Sequence, residues 1–274
     1  MKTVRCGDID LAILDEGAGD PLLLVHGFPL DHSMWAGQIA EFSRTHRVIA
    51  PDLRGFGRSG ATPGTATMEQ MADDLAALLD ALAVSGKVTF CGLSMGGYVA
   101  WQFWKRHAAR LERLVLCDTR VVADTADAAA GRLKTAEKAT AEGAGVVAEA
   151  MLPKLFAAGA AARLPDVVAA VERTMRATSP AGLAAALRGM AARPDATAWL
   201  PKIDLPALVV VGAEDKIAPP EEMRGIAAAM PQARFVVIPD AGHMAPLENP
   251  AAFNDALRAF LNGRAPAFRE FRYA

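Results

Sequence analysis

The stretch Val88-Thr89-Phe90-Cys91-Gly92-Leu93-Ser94-Met95-Gly96-Gly97-Tyr98 decides how the rest of the sequence is read. Val88 to Cys91 is a short apolar run suited to a buried strand, and Ser94 to His107 reads as a helix that follows directly. Gly92-Leu93-Ser94-Met95-Gly96 therefore sets a serine on a sharp strand-to-helix turn, with flanking glycines making room for a strained backbone. The same turn aims the Met95 N–H, at the helix N-terminus, toward an oxygen attached to a reacting carbon. A surface serine in a glycine-rich turn is the plainer alternative, but it leaves the strand and helix on either side unexplained.

Outward from this turn, further strand candidates are Leu22-Leu23-Leu24-Val25, Arg47-Val48-Ile49-Ala50, Leu114-Val115-Leu116-Cys117, Leu208-Val209-Val210-Val211 and Phe235-Val236-Val237-Ile238. Continuous apolar runs of this kind fit strands covered on both faces. Helical patterns alternate with them. Thr67 to Gln70 reads as a capping box, followed by Met71, Leu75, Leu78, Leu79 and Leu82 on one face, and Pro250 to Leu261 reads as a last helix. Strands alternating with helices predict an α/β fold with a mostly parallel twisted sheet. Between about Val121 and Leu200 the strands stop, and alanine-rich helical segments are punctuated by Pro153, Pro165, Pro180 and Pro194. The expected organisation is a core over residues 1–120, an inserted helical cap over 121–200, and the remaining core over 201–274.

Composition narrows the function classes. The chain has 274 residues, of which 52% are hydrophobic and 22% charged, ample for a buried core and unlike a disordered chain. Its 29 Lys and Arg against 31 Asp and Glu leave a net charge of −2, with no field to attract nucleic acid or an anionic membrane. Cys6, Cys91 and Cys117 are odd in number and widely spaced, and are read as reduced. The N-terminus lacks the apolar stretch of a secretory signal, and no later apolar run approaches the roughly 18 residues of a membrane span. A soluble, cytoplasmic protein without membrane or nucleic-acid partners is expected.

A serine hydroxyl needs an imidazole to take its proton and a carboxylate to orient that imidazole. Of five histidines, His243 in Asp240-Ala241-Gly242-His243-Met244-Ala245-Pro246 is the best placed, in a loop between the last strand and the last helix. His26, at the end of a buried strand, suits a structural role. For the acid, Asp215 follows the strand Leu208 to Val211 and completes the order Ser, Asp, His along the chain. Asp118 also follows a strand and stays open as the alternative, and Glu214 would point the other way. The loop His26-Gly27-Phe28-Pro29 offers the Phe28 N–H as the second oxyanion donor. Pro51 to Gly60 is glycine-rich but lacks the Gly-Lys-Ser/Thr ending of a phosphate loop, so it reads as a tight structural loop. No Cys, His and carboxylate cluster has metal-ligand spacing, and neither a metal nor a cofactor is expected.

These motifs, taken in order, resemble the α/β-hydrolase superfamily over nearly the whole chain outside the cap. The resemblance rests on His26 to Pro29, Pro51 to Gly60, Gly92 to Gly96, Gly212 to Pro219 and Gly242-His243. His-Gly-Phe-Pro also looks like epoxide hydrolases and haloalkane dehalogenases. Those use an aspartate nucleophile where this chain has Ser94, and the epoxide enzymes use cap tyrosines, whereas the two tyrosines here, Tyr98 and Tyr273, lie outside the cap. The serine and the small cap look more like small carboxylesterases and the enol-lactone hydrolases of aromatic catabolism. The resemblance implies hydrolysis of a small ester or lactone through an acyl-enzyme, with Ser94, Asp215 and His243 as triad and Phe28 and Met95 as oxyanion donors. A cofactor-free haloperoxidase or perhydrolase, and a small-molecule receptor with a vestigial site, are the alternatives. Apolar cap residues such as Met151, Leu155 and Leu187 either line a pocket or pack the cap, while Trp199 and Met244 are expected near the mouth as substrate contacts.

Overall fold

The computed structural model describes residues 1–263; Tyr273 and the end of the expected 201–274 segment lie outside the described residues. Eight strands form one sheet: β1 (Lys2–Cys6), β2 (Ile9–Glu16), β3 (Pro21–Val25), β4 (Arg47–Pro51), β5 (Val88–Leu93), β6 (Leu111–Cys117), β7 (Ala207–Gly212) and β8 (Ala233–Ile238). Their order across the sheet is β1-β2-β4-β3-β5-β6-β7-β8. The pairs β1–β2 and β2–β4 are antiparallel and the others parallel. The six expected strands are all present. The β1–β2 hairpin was not anticipated, because its outer strand is largely exposed and lacks a continuous apolar run.

The helices are α1 (Ala36–Phe42), α2 (Met68–Ala81), α3 (Met95–His107), α4 (Ala126–Glu142), α5 (Gly145–Leu155), α6 (Ala160–Arg163), α7 (Pro165–Ala177), α8 (Pro180–Ala191), α9 (Pro220–Ala229), α10 (Ala245–Glu248) and α11 (Pro250–Leu261). The period of two along each strand sorts side chains to the two faces. Leu23, Val25, Phe90, Leu116 and Val209 pack with Leu75 of α2, Val99 of α3 and Met223 of α9. Leu22, Leu24, Cys91, Val115 and Val210 pack on the other face with Phe42 of α1 and Leu257 of α11. Double coverage is why the central strands read as unbroken apolar runs. At the start of α2 the Thr67 hydroxyl accepts the Gln70 N–H at 3.1 Å, as the capping pattern predicts.

Helices α4 to α8 lie between β6 and β7, which are neighbours in the sheet. This helical segment is fastened to the rest of the molecule at separated points. Gly182 of α8 packs directly on Gly55, Ala66 donates its N–H to Ala185 O at 3.1 Å, and the Thr178 hydroxyl donates to Pro29 O at 3.0 Å. The apolar residues Leu155, Met175, Leu183, Leu187 and Met190 are buried in the cores, so packing accounts for them.

Candidate active site

Strand β5 delivers Ser94 to the sheet's C-terminal edge, the side on which parallel α/β sheets hold their ligands. Ser94 has φ 54° and ψ −111°, a conformation costly for a residue with a Cβ and one retained where function over-determines it. The glycines of the turn are required by space: a Cβ on Gly92 would stand 2.4 Å from Gly96 O, and one on Gly96 would stand 2.4 Å from Val25 O. The turn is fixed on the β6 side, where Ser94 N–H donates to Cys117 O at 2.9 Å and the Thr119 hydroxyl donates to Ser94 O at 2.7 Å. Ser94 itself is partly exposed, so its hydroxyl is reachable.

His243 and Asp215 come together in the loops after β8 and β7, with His243 Nδ1 2.8 Å from Asp215 Oδ2. Both are buried. The other Asp215 oxygen accepts the N–H groups of Ile217 at 2.7 Å and Ala218 at 3.0 Å, which sets the carboxylate plane. Met95 is the first residue of α3, so its N–H has no acceptor within the helix, and Phe28 sits in the turn closed by Leu30 N–H on Gly27 O at 2.9 Å. His26 is fully buried and structural: its Nε2 accepts the Leu53 N–H at 2.9 Å. Asp52 Oδ1 accepts from both His32 Nδ1 at 2.6 Å and His32 N–H at 2.9 Å, and Asp52 Oδ2 accepts from Arg58 N–H at 2.9 Å, so the Pro51 to Gly60 loop is internally knit.

Asp118 belongs to the same cluster. One side-chain atom from each of Asp118, Asp215 and His243 lies within 4.8 Å of the others. It is Asp215 that bonds the imidazole, while Asp118 Oδ1 accepts the Gly212 N–H at 2.8 Å. Burial, then the charge of Asp215, push the Asp118 carboxyl well above the usual carboxylate range. Glu214 does turn away, accepting the Ala158 N–H at 3.0 Å.

The two expected substrate contacts, Trp199 and Met244, have different surroundings. Trp199 packs against Trp104 at a tilt of 34° with centroids 6.3 Å apart and lies under Lys105 Nζ at 5.5 Å. That places it by the C-terminal half of α3, ten residues and about 15 Å along the helix from Ser94. Met244, the neighbour of His243, is buried and belongs to the core cluster that holds Phe253 and Leu257. A residue that the sequence reading missed is Glu248, whose buried carboxylate accepts the N–H groups of Gly242 at 2.8 Å, Met244 at 3.3 Å and Ala157 at 2.8 Å. Its only sequence signal is an acidic residue just before the Asn249-Pro250 helix start.

Comparison with known proteins agrees with this architecture. The family model of the alpha/beta hydrolase fold matches residues 20–250. A thermophilic esterase from Thermogutta terrifontis is 47% identical, with a TM-score of 0.93 over 96% of this chain and 98% of that one. An enol-lactonase from Burkholderia xenovorans is 34% identical, with a TM-score of 0.89 over 95% of this chain and all (100%) of that one. The 3-oxoadipate enol-lactonase 2 of Acinetobacter baylyi is 27% identical over 94% of this chain and 96% of its own length. The strained Ser94 turn, the mostly parallel sheet and these matches agree, and the chain belongs to the alpha/beta hydrolase fold family.

Proposed function

We propose that this protein is a serine hydrolase that cleaves a carboxylic ester or lactone of a small molecule through an acyl-enzyme. The observation that carries the reading is the strained, reachable Ser94 at the same sheet edge as the buried His243–Asp215 pair. With Nδ1–H donated to Asp215, His243 keeps Nε2 free to take the proton of Ser94 as its oxygen attacks the carbonyl carbon. The N–H groups of Phe28 and Met95 receive the oxyanion, and His243 returns the proton to the leaving oxygen. Water then repeats the sequence on the acyl-enzyme and frees Ser94. Because the base is a neutral imidazole, kcat/KM falls as the solution is acidified.

Similarity to a solved esterase and to enol-lactonases supports both an open-chain ester and a lactone as substrate classes. A cytoplasmic setting is part of the same proposal. The three cysteines are buried free thiols, in keeping with a reducing compartment, and among the described residues no helix is long and apolar enough to cross a membrane. The test is hydrolysis of p-nitrophenyl esters from acetate to decanoate, together with small lactones. Wild type should turn over one class, and Ser94→Ala should lose at least roughly a thousandfold in kcat. Equal rates for the two proteins would sink the proposal, and peroxide-dependent bromination of a dye with acetate would move it to perhydrolysis.

A further inference from the structure

We propose that Asp118 is a second, proton-bearing carboxyl group in this site, a positioning residue that holds the Asp215 carboxylate and, through it, His243. The inference rests on the triad reading above and adds a residue to it.

The geometry carries the argument. Asp118 is fully buried, and its backbone adopts φ 47°, in the left-handed region that a residue with a Cβ seldom takes. That conformation is held from β7 on two sides: Asp118 N–H donates to Val210 O at 2.9 Å, and Gly212 N–H donates to Asp118 Oδ1 at 2.8 Å. The remaining oxygen, Oδ2, is buried with no hydrogen-bond partner as an acceptor. It is carried by a carboxyl group in the same cluster as Asp215, whose own two oxygens are engaged by His243, Ile217 and Ala218.

Two buried carboxylates beside one imidazole would leave an uncompensated negative charge. Among the described residues neither Asp118 nor Asp215 forms an ion pair with a Lys or Arg side chain. The groups facing Asp118 are Asp215, Glu248 and the Cys117 thiol, all neutral or acidic, with His243 as the basic member. Like charges held this close cannot both ionise, so one carboxyl keeps its proton. Hydrogen bonds accepted by a carboxylate favour the charged form, and Asp215 accepts three where Asp118 accepts a single one. The proton therefore stays on Asp118. A protonated carboxyl is a donor, which gives the otherwise orphaned Oδ2 a role: its O–H faces Asp215. The hydrogen bond opposes rotation of the Asp215 carboxylate away from His243.

The experiment compares wild type, Asp118→Asn, Asp118→Ala and Ser94→Ala in the full chain, using the best ester from the panel. Asparagine carries a donor at the same place without a charge, so it should rescue kcat to within about threefold of wild type, while alanine should lose about tenfold or more in kcat with little change in KM. The acidic limb of kcat/KM should stay at the same pH in Asp118→Asn. If Asp118 were ionised, removing its negative charge would lower the imidazole's affinity for protons and shift that limb to lower pH by roughly half a unit or more. Such a shift overturns the proposal, as does an Asp118→Ala enzyme as active as wild type. An infrared readout does not depend on turnover and still decides the matter if the alanine variant fails to fold. The C=O stretch of a protonated carboxyl should be present in wild type at neutral pH and missing in Asp118→Asn, and its absence from wild type refutes the assignment. Activity surviving in Ser94→Ala would instead indict the triad reading, with the infrared band still testing Asp118 alone.

Discussion

Ala157 donates its backbone N–H to the Glu248 carboxylate at 2.8 Å, joining the helical segment to the loop that carries His243. The other Glu248 oxygen accepts the Gly242 and Met244 N–H groups that flank the imidazole, so one buried side chain sets both the His243 loop and the residues after α5. Glu248→Gln keeps an acceptor for one of these two parties and turns an N–H donor on the other. It should cost about 1–3 kcal/mol of stability, and Glu248→Ala more, because the N–H groups are left buried and unpaired. Denaturant unfolding checks the order, and kcat should fall in step with it because the imidazole loop loosens. A Glu248→Ala protein as stable as wild type would show that water or a backbone shift replaces the carboxylate.

The buried ion pair that ties the Pro51 to Gly60 loop to α2 calls for a different test. Arg54 grips Asp74 through Nε at 2.8 Å and Nη2 at 2.6 Å, and also reaches Asp8 at 2.8 Å and Thr62 at 3.0 Å. Its side chain is 1% exposed, and the two carboxylates hold its guanidinium in the charged form. Removing one partner leaves the other charge stranded, so Arg54→Ala should cost about 3–5 kcal/mol. The double change Arg54→Met with Asp74→Leu should recover part of that loss, since neither charge is then left alone. Unfolding curves of the three proteins decide it, and a double variant less stable than Arg54→Ala would refute the account.

What could be read from the sequence was what local pattern encodes. The continuous runs at β3, β5 and β7 declare double burial, the Thr67 cap declares a helix start, and Gly92 to Gly96 declares a strained turn. The β1–β2 hairpin was missed because its exposed outer strand shows no such run; its turn is made by Gly7 at φ 59°. The order Ser, Asp, His along the chain favours Asp215, but local pattern does not exclude Asp118, since both follow strands and the difference lies in which carboxylate the distant His243 meets. The surroundings of Trp199 are hidden from local pattern for the same reason. Its partner, Trp104, is 95 residues away, and nothing near either residue announces the pairing.

Strong acid should loosen the hairpin edge of the sheet. Asp15 on β2 takes a two-pronged bond from Arg47 on β4, at 2.9 and 3.0 Å, and a third from Lys2 on β1. The Arg47 hydrogen bonds, with help from Lys2, lower its carboxyl to about 2 from the ordinary 3.8. A depressed folded-state value means that the contribution is complete above the ordinary value and is lost as pH falls from there through about 2. The stability gap between wild type and Asp15→Asn should be constant at neutral pH and close across that acidic window. A gap that persists at the acid end would mean that Asp15 contributes by shape and hydrogen bonding alone.

Glycine substitutions separate close approach from mere flexibility. A Cβ on Gly182 would fall 1.9 Å from Gly55 O, where α8 rests on the Pro51 to Gly60 loop, and both parties are backbone, so neither can swing aside. Gly182→Ala must push the helix off the loop. It should lower stability by about 1–3 kcal/mol, the usual cost of overpacking. Gly131 in α4 and Gly225 in α9 present the opposite case, exposed helical positions where an added methyl meets nothing within 4 Å. Alanine there removes unfolded-state freedom and improves helix propensity, so each change should raise stability by about 0.5–1 kcal/mol. Melting curves of the three variants test the contact between α8 and the loop directly. If Gly182→Ala melts as high as the two helical variants, that contact is looser than the geometry requires, and the helical segment is fastened chiefly through Glu248 and Thr178.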